Sequence, residues 1–92
     1  MTRQLRIEPI EKLRTHMRLT NTQMAQLCGV SRITYYNWVR GSGIREANHA
    51  KVSQVVKSLL KIAQQYQWPM RVADASSHRR FEILLDLLAE EA

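Results

Sequence analysis

TNTQMAQLCGVSRITYYNWVRG, residues 20 to 41, reads as two short helices joined by a tight turn. Thr20 or Asn21 is a good N-cap for the first. Gln23, three residues beyond Thr20, completes a weak capping box. Met24, Ala25, Leu27 and Cys28 give this helix an apolar side. Gly29 ends it at a position that calls for a positive φ. Val30 packs down as the chain turns, and Ser31 caps the second helix. Tyr35 and Trp38, spaced i, i+3, face inward with Val39. Gly41-Ser42-Gly43 breaks the helix. The second helix opens with polar and basic side chains, the layout that places one helix in a DNA major groove.

On the N-terminal side, Pro9 suits a first helical turn, where its missing N–H is harmless. Ile10, Leu13 and Met17 recur at i, i+3, i+7 and predict a first helix over about 8 to 18, with Leu19 as its apolar exit. On the C-terminal side a long helix begins near Glu46. Val52, Val55, Val56, Leu59, Ile62, Ala63 and Tyr66 mark its buried face. Lys51, Gln54, Lys57, Ser58, Lys61 and Gln65 fall opposite, as a solvated face or a further DNA contact. Trp68-Pro69 is expected to stop this helix, because the residue before proline avoids the α region. Residues 69 to 76 are a connector, and Ser76 or Ser77 caps a last helix reaching about 90. There Phe81, Ile83, Leu84, Leu85, Leu87 and Leu88 leave only a narrow polar stripe of Glu82, Asp86 and Glu90. Such a helix wants burial on more than one side. It is either a dimerisation helix, with Phe81, Leu84, Leu85 and Leu88 at the interface, or a central core helix. No stretch alternates with period 2, so no sheet is expected.

The chain has 92 residues, 45% of them hydrophobic, enough for one small core. We therefore expect a single all-α domain: a compact five-helix unit over 1–92, with a core at about 8–66 and the last helix at about 76–91. The formal charge is +6. Residues 1 to 80 carry all 14 basic and four acidic residues, a net +10, while residues 81 to 92 carry four acids and no base, a net −4. A cationic body fits a polyanion, or simple solubility, and the anionic tail should sit away from any nucleic acid. A single cysteine allows no internal disulfide and fits a reducing cytoplasm. No apolar run is long enough for a membrane span. The start, MTRQLRIEPIEK, has no signal-peptide core.

The span from Met24 to Gly41 resembles the helix-turn-helix of the phage Cro/C1-type repressors, the XRE family. Ala25 stands where a small residue lets the two helices cross, Gly29 at the turn and Val30 after it. Ser31 opens the recognition helix, Tyr35 and Trp38 take its buried positions, and Gly41 closes it. The likeness covers about 35 residues, from the first helix to Arg45. It departs at Tyr35, larger than the usual Val or Ile, and in the length of the fourth helix. It implies a lambda-repressor-like domain whose base-reading face is Arg32, Ile33, Thr34, Tyr36 and Asn37. Arg32 suits guanine O6 and N7, Asn37 suits adenine N6 and N7, and Ile33 and Thr34 suit a thymine methyl. Phosphate contacts would come from Asn21, Thr22 and Gln23 at a helix N-terminus, with Ser31, Arg40, Ser42 and Arg45.

Other chemistry is sparse. His16, His49 and His78 have no metal-ligand spacing, and Cys28 reads as a small buried thiol. No nucleophile–base pair stands out, so no enzyme, metal or cofactor is expected and no small-molecule ligand is evident. The expected function is a homodimeric, cytoplasmic transcriptional regulator on double-stranded DNA in a nucleoid or phage-infected bacterial cell, with repression of an inverted-repeat operator. The alternatives are an antitoxin-like or assembly module whose last helix binds another protein, and the DNA-binding arm of a recombination or packaging system.

Overall fold

A computed structural model describes residues 5–68, 72 and 74–91. Helix α1 spans Ile7–His16 and keeps Pro9 in its first turn. It buries Ile10 and Leu13, with Met17 and Leu19 just beyond it. It ends two residues earlier than the periodicity predicts. Arg18 N donates to Thr15 O at 3.1 Å and Leu19 N to Arg14 O at 3.0 Å. These are the paired bonds of a Schellman ending. That ending puts Arg18 in the left-handed region, at φ 58°. A Cβ there clashes with the following carbonyl, by roughly 1–2 kcal/mol. Arg18→Gly should therefore raise stability by about 0.5–1 kcal/mol, after glycine's extra freedom in the unfolded chain is deducted. A thermal midpoint that fails to rise would contradict strain at this turn.

Helices α2 (Asn21–Cys28) and α3 (Arg32–Val39) follow as expected. Thr20, rather than Asn21, is the cap of α2: Gln23 N donates to Thr20 Oγ1 at 3.1 Å, and Thr20 N to Gln23 Oε1 at 3.0 Å. Both halves of the capping box are therefore made. Gly29 sits in the left-handed region at φ 73°. It closes α2 with a second Schellman ending, in which Val30 N donates to Ala25 O at 3.0 Å. Ser31 Oγ accepts from Thr34 N at 3.0 Å and so starts α3. Met24, Ala25, Cys28, Tyr35 and Trp38 are all buried.

Helix α4 runs Glu46–Gln65 and buries Val52, Val55, Leu59 and Ile62, the stripe expected from its spacing. Ile44, just before it, is also buried. The stop expected at Trp68-Pro69 comes earlier. The helix closes at Gln65, and Gln67 takes a left-handed φ of 53°. That turn swings Trp68 into the core, where it is 4% exposed and its Nε1 donates to Met17 O at 2.9 Å. Trp68 is thus a strut between the ends of α4 and α1. Pro69 lies outside the described residues.

Helix α5 spans Ser77–Glu91. Ser76 caps it, its Oγ accepting from Arg79 N at 3.2 Å. The helix packs against α4. Phe81 and Leu84, expected at a dimer interface, are instead buried in the chain's own core. Each such side chain contributes about 1.5–3 kcal/mol by leaving water. Of the four interface candidates, Leu88 is half-buried and Leu85 exposed, while Glu82, Asp86 and Glu90 form the solvent edge. One core joins residues of all five helices, and no strand occurs among the described residues. Among those residues no helix is long and apolar enough to cross a membrane.

Candidate nucleic-acid interface

Helix α3 is held from below. Tyr35 is fully buried and Trp38 nearly so, their rings meeting edge-on with centroids 5.8 Å apart. The Tyr35 hydroxyl donates to Glu11 Oε2 on α1 at 3.0 Å. Arg14 also donates to Glu11 Oε2, and its Nη1 reaches Leu19 O at 2.7 Å. A chain of charge-assisted hydrogen bonds thus ties the buried side of α3 to α1 and to the turn entering α2. Burial raises the Tyr35 hydroxyl well above the ordinary tyrosine range, and the Glu11 charge and hydrogen bond add to the rise. It therefore stays a donor throughout the neutral range. A Val or Ile at position 35 would lack this bond. Tyr35→Phe keeps the ring and deletes the bond, so it should destabilise the fold by about 1–2 kcal/mol. Urea unfolding reads this directly, and an unchanged midpoint would show that the bond contributes nothing.

The opposite side of α3 is free. Arg32, Ile33, Tyr36, Asn37 and Arg40 are exposed, and Thr34 is half-buried. Ile33, Tyr36, Asn37 and Arg40 follow i, i+3, i+4, i+7 spacing and share one helical face. The Arg40 guanidinium lies 5.7 Å from the centroid of the Tyr36 ring. This is a cation–π contact, and it steadies both side chains. Depressions flank the helix on both sides. One, of about 410 Å³, is lined by Asn21, Thr22, Arg32, Ile33 and Tyr36. The other, of about 650 Å³, includes Ser31, Thr34, Asn37, Ser42 and Arg45. Residues far apart in function on the sequence reading, base readers and phosphate contacts, thus line the same two surfaces.

Along the sequence through this ridge, the charge between Glu11 and Glu46 has one sign. From Lys12 to Arg45 the sequence holds six basic residues (Lys12, Arg14, Arg18, Arg32, Arg40 and Arg45) and no Asp or Glu. Arg14 is committed to Glu11, but Arg32, Arg40 and Arg45 form no ion pair among the described residues. The acid-free run was readable in the sequence, though net charge averaged over the chain hides it.

Some expected site residues have other roles. The Gln23 amide, expected at a phosphate, closes the α2 capping box and donates to Ser77 Oγ at 3.2 Å, linking the starts of α2 and α5. Ser31 Oγ is likewise engaged as the α3 cap, leaving Asn21 and Thr22 at the rim. Cys28 is buried, and that burial pushes its thiol up to about 11, with nearby Lys51 pulling it down. At neutral pH this favours the neutral thiol, the less reactive form. No group of His, Cys, Asp or Glu able to hold a metal ion occurs among the described residues.

Together these features define a class: an all-α domain, five-helical among the described residues, that presents one short helix bearing exposed arginines. No protein-family model, curated protein or solved structure matches the chain.

Proposed function

We propose that the chain is a sequence-specific double-stranded DNA-binding transcriptional regulator of the Cro/C1-type, acting as a dimeric repressor on an inverted-repeat operator. The observation that supports this reading is the outward face of α3, with Arg32, Arg40 and Arg45 on or beside it in no ion pair among the described residues and no acid from Lys12 to Arg45. Helix α3 has eight residues. With its side chains a helix is about 10–12 Å across, and the B-DNA major groove, about 12 Å wide, admits it. Arg32 and Asn37 are the base readers, with Ile33, Thr34 and Tyr36 beside them. Asn21 and Thr22 at the start of α2, where the helix dipole favours an anion, touch one strand's phosphates. Ser42, Arg45 and Arg40 touch the other. Such contacts set register, and the base contacts set sequence.

A single short helix reads few base pairs, so specificity calls for two copies, with recognition helices in successive major grooves roughly 34 Å apart. Repression then follows from occlusion of the polymerase. Arg32→Ala should weaken operator binding by about 1–3 kcal/mol and relax the preference at one base pair. Operator affinity and preference that both survive the change would sink the assignment of Arg32.

One observation favours a second reading, an interaction module acting through its last helix. Tyr66, Trp68, Val72, Ile83 and Leu87 line an apolar groove of about 320 Å³ between the end of α4 and α5. On that reading Ile83→Asp abolishes partner capture and leaves DNA binding intact.

A further inference from the structure

One oxygen, Glu11 Oε2, stands where three parts of the fold meet. The Tyr35 hydroxyl donates to it from the inward side of α3 at 3.0 Å, and Arg14 Nε donates to it along α1. The Arg14 guanidinium continues to Leu19 O at 2.7 Å, one residue before Thr20 caps α2. The Glu11 side chain is 21% exposed and that of Arg14 23%, so water competes weakly for these bonds. Burying a tyrosine hydroxyl carries a desolvation cost that a phenylalanine ring in the same space would not. What the hydroxyl adds is direction. Apolar packing of Tyr35 and Trp38 holds α3 down but is non-directional, whereas a hydrogen bond weakens steeply once it is bent. The elements that meet at Glu11 include the two assigned above to DNA: α3 to the bases, and the start of α2 to phosphates. Phosphate contacts set where the protein sits, and base contacts read what lies there. Discrimination therefore depends on how these two elements are placed relative to each other.

Resting on the DNA-reading proposal, we infer that Glu11 is a positioning residue for base discrimination. It sits beneath the inward side of α3 and fixes that helix against the start of α2, through Tyr35 on one arm and Arg14 on the other. Sites of this kind need their groups held to about 0.5 Å. A bidentate contact from Arg32 or Asn37 needs two donors or acceptors in line with one base edge, so a loosened α3 loses these first. Attraction to phosphate is Coulombic and falls off slowly with distance, so it survives the same displacement. Cutting either arm at Glu11 therefore lowers specificity and spares the salt-dependent part of binding.

The test takes a duplex enriched from random sequence on the purified protein, and the same duplex changed at one base pair. Affinities for both are measured at a temperature where circular dichroism shows every variant folded. In the parent the costliest single change should weaken binding by about 100-fold. Tyr35→Phe, which cuts the α3 arm, and Glu11→Gln, which removes the charge holding Arg14, should each lower that ratio by about ten-fold. Tyr35→Phe changes no charge and should leave the slope of affinity against salt as it was. The double variant should be no worse than the worse single one, because both act through one oxygen. Val55→Ala, a buried change on α4 outside this network, should keep the parental ratio while also lowering stability. Parental ratios in both Tyr35→Phe and Glu11→Gln overturn the positioning role and leave the DNA reading standing. A ratio that falls equally in Val55→Ala overturns it too, since general loosening then suffices. A parent without base preference takes down the DNA reading, and the role of Glu11 with it.

Discussion

Replacing Trp68 with alanine should lower the unfolding free energy by about 3–5 kcal/mol. The indole is 4% exposed, and its Nε1 donates to Met17 O across 51 residues of chain. Truncation opens a cavity between the ends of α1 and α4. It also leaves a carbonyl without its donor, in a place where water is excluded. A domain of this size has only about 5–15 kcal/mol of stability in total, so the variant should be close to unfolding at physiological temperature. Trp68→Phe separates the two effects. It keeps most of the apolar volume and removes the donor, and should cost about 1–3 kcal/mol. Urea midpoints should fall in that order with similar slopes. If Trp68→Ala melts like the parent, the indole is not the strut described here.

Operator affinity should fall steeply with salt, and the steepness counts the protomers. Each phosphate neutralised by a cation adds about −0.9 to the slope of log K against log salt. With Arg40 and Arg45 at phosphates, one protomer gives a slope of about −1.8 and two give about −3.6. Between about 50 and 200 mM salt that is roughly a 12-fold loss for one protomer and roughly 150-fold for two. Arg45→Ala in a dimer should flatten the slope by about 1.8, while Ser42→Ala should leave it unchanged. A slope near zero contradicts phosphate contact altogether. A slope near about −1.8 keeps the DNA reading and removes the dimer. The latter is a live test, because Phe81 and Leu84 are buried within the chain and leave Leu85 and Leu88 as the remaining α5 candidates.

The parts of the fold that local rules govern were legible in the sequence. Thr20 with Gln23, Gly29 and Ser31 each act within a few residues of their own position, and the structure places each where those rules put it. The buried stripes of α1 and α4 follow from periodicity in the same way. What stayed hidden depends on distant partners. Nothing near Trp68 announces that it meets Met17, and nothing near Tyr35 announces Glu11, 24 residues away. Arg18 and Gln67 take left-handed conformations. Residue type argues against both, so the early ends of α1 and α4 were not foreseeable. In α5 the apolar pattern shows how much surface needs cover but not which side α4 supplies. The candidate interface divides likewise. The outward positions of α3 follow from where Tyr35 and Trp38 must point, whereas the engagement of Gln23 with Ser77 required the assembled fold.

Selection of random duplexes on the purified protein, followed by sequencing, tests sequence reading and two-fold symmetry together. A dimeric reader of DNA should enrich a consensus with two inverted half-sites whose centres lie one helical turn apart, about 10–10.5 base pairs. Recovery of duplexes with no shared sequence, at an affinity indifferent to base identity, would contradict it.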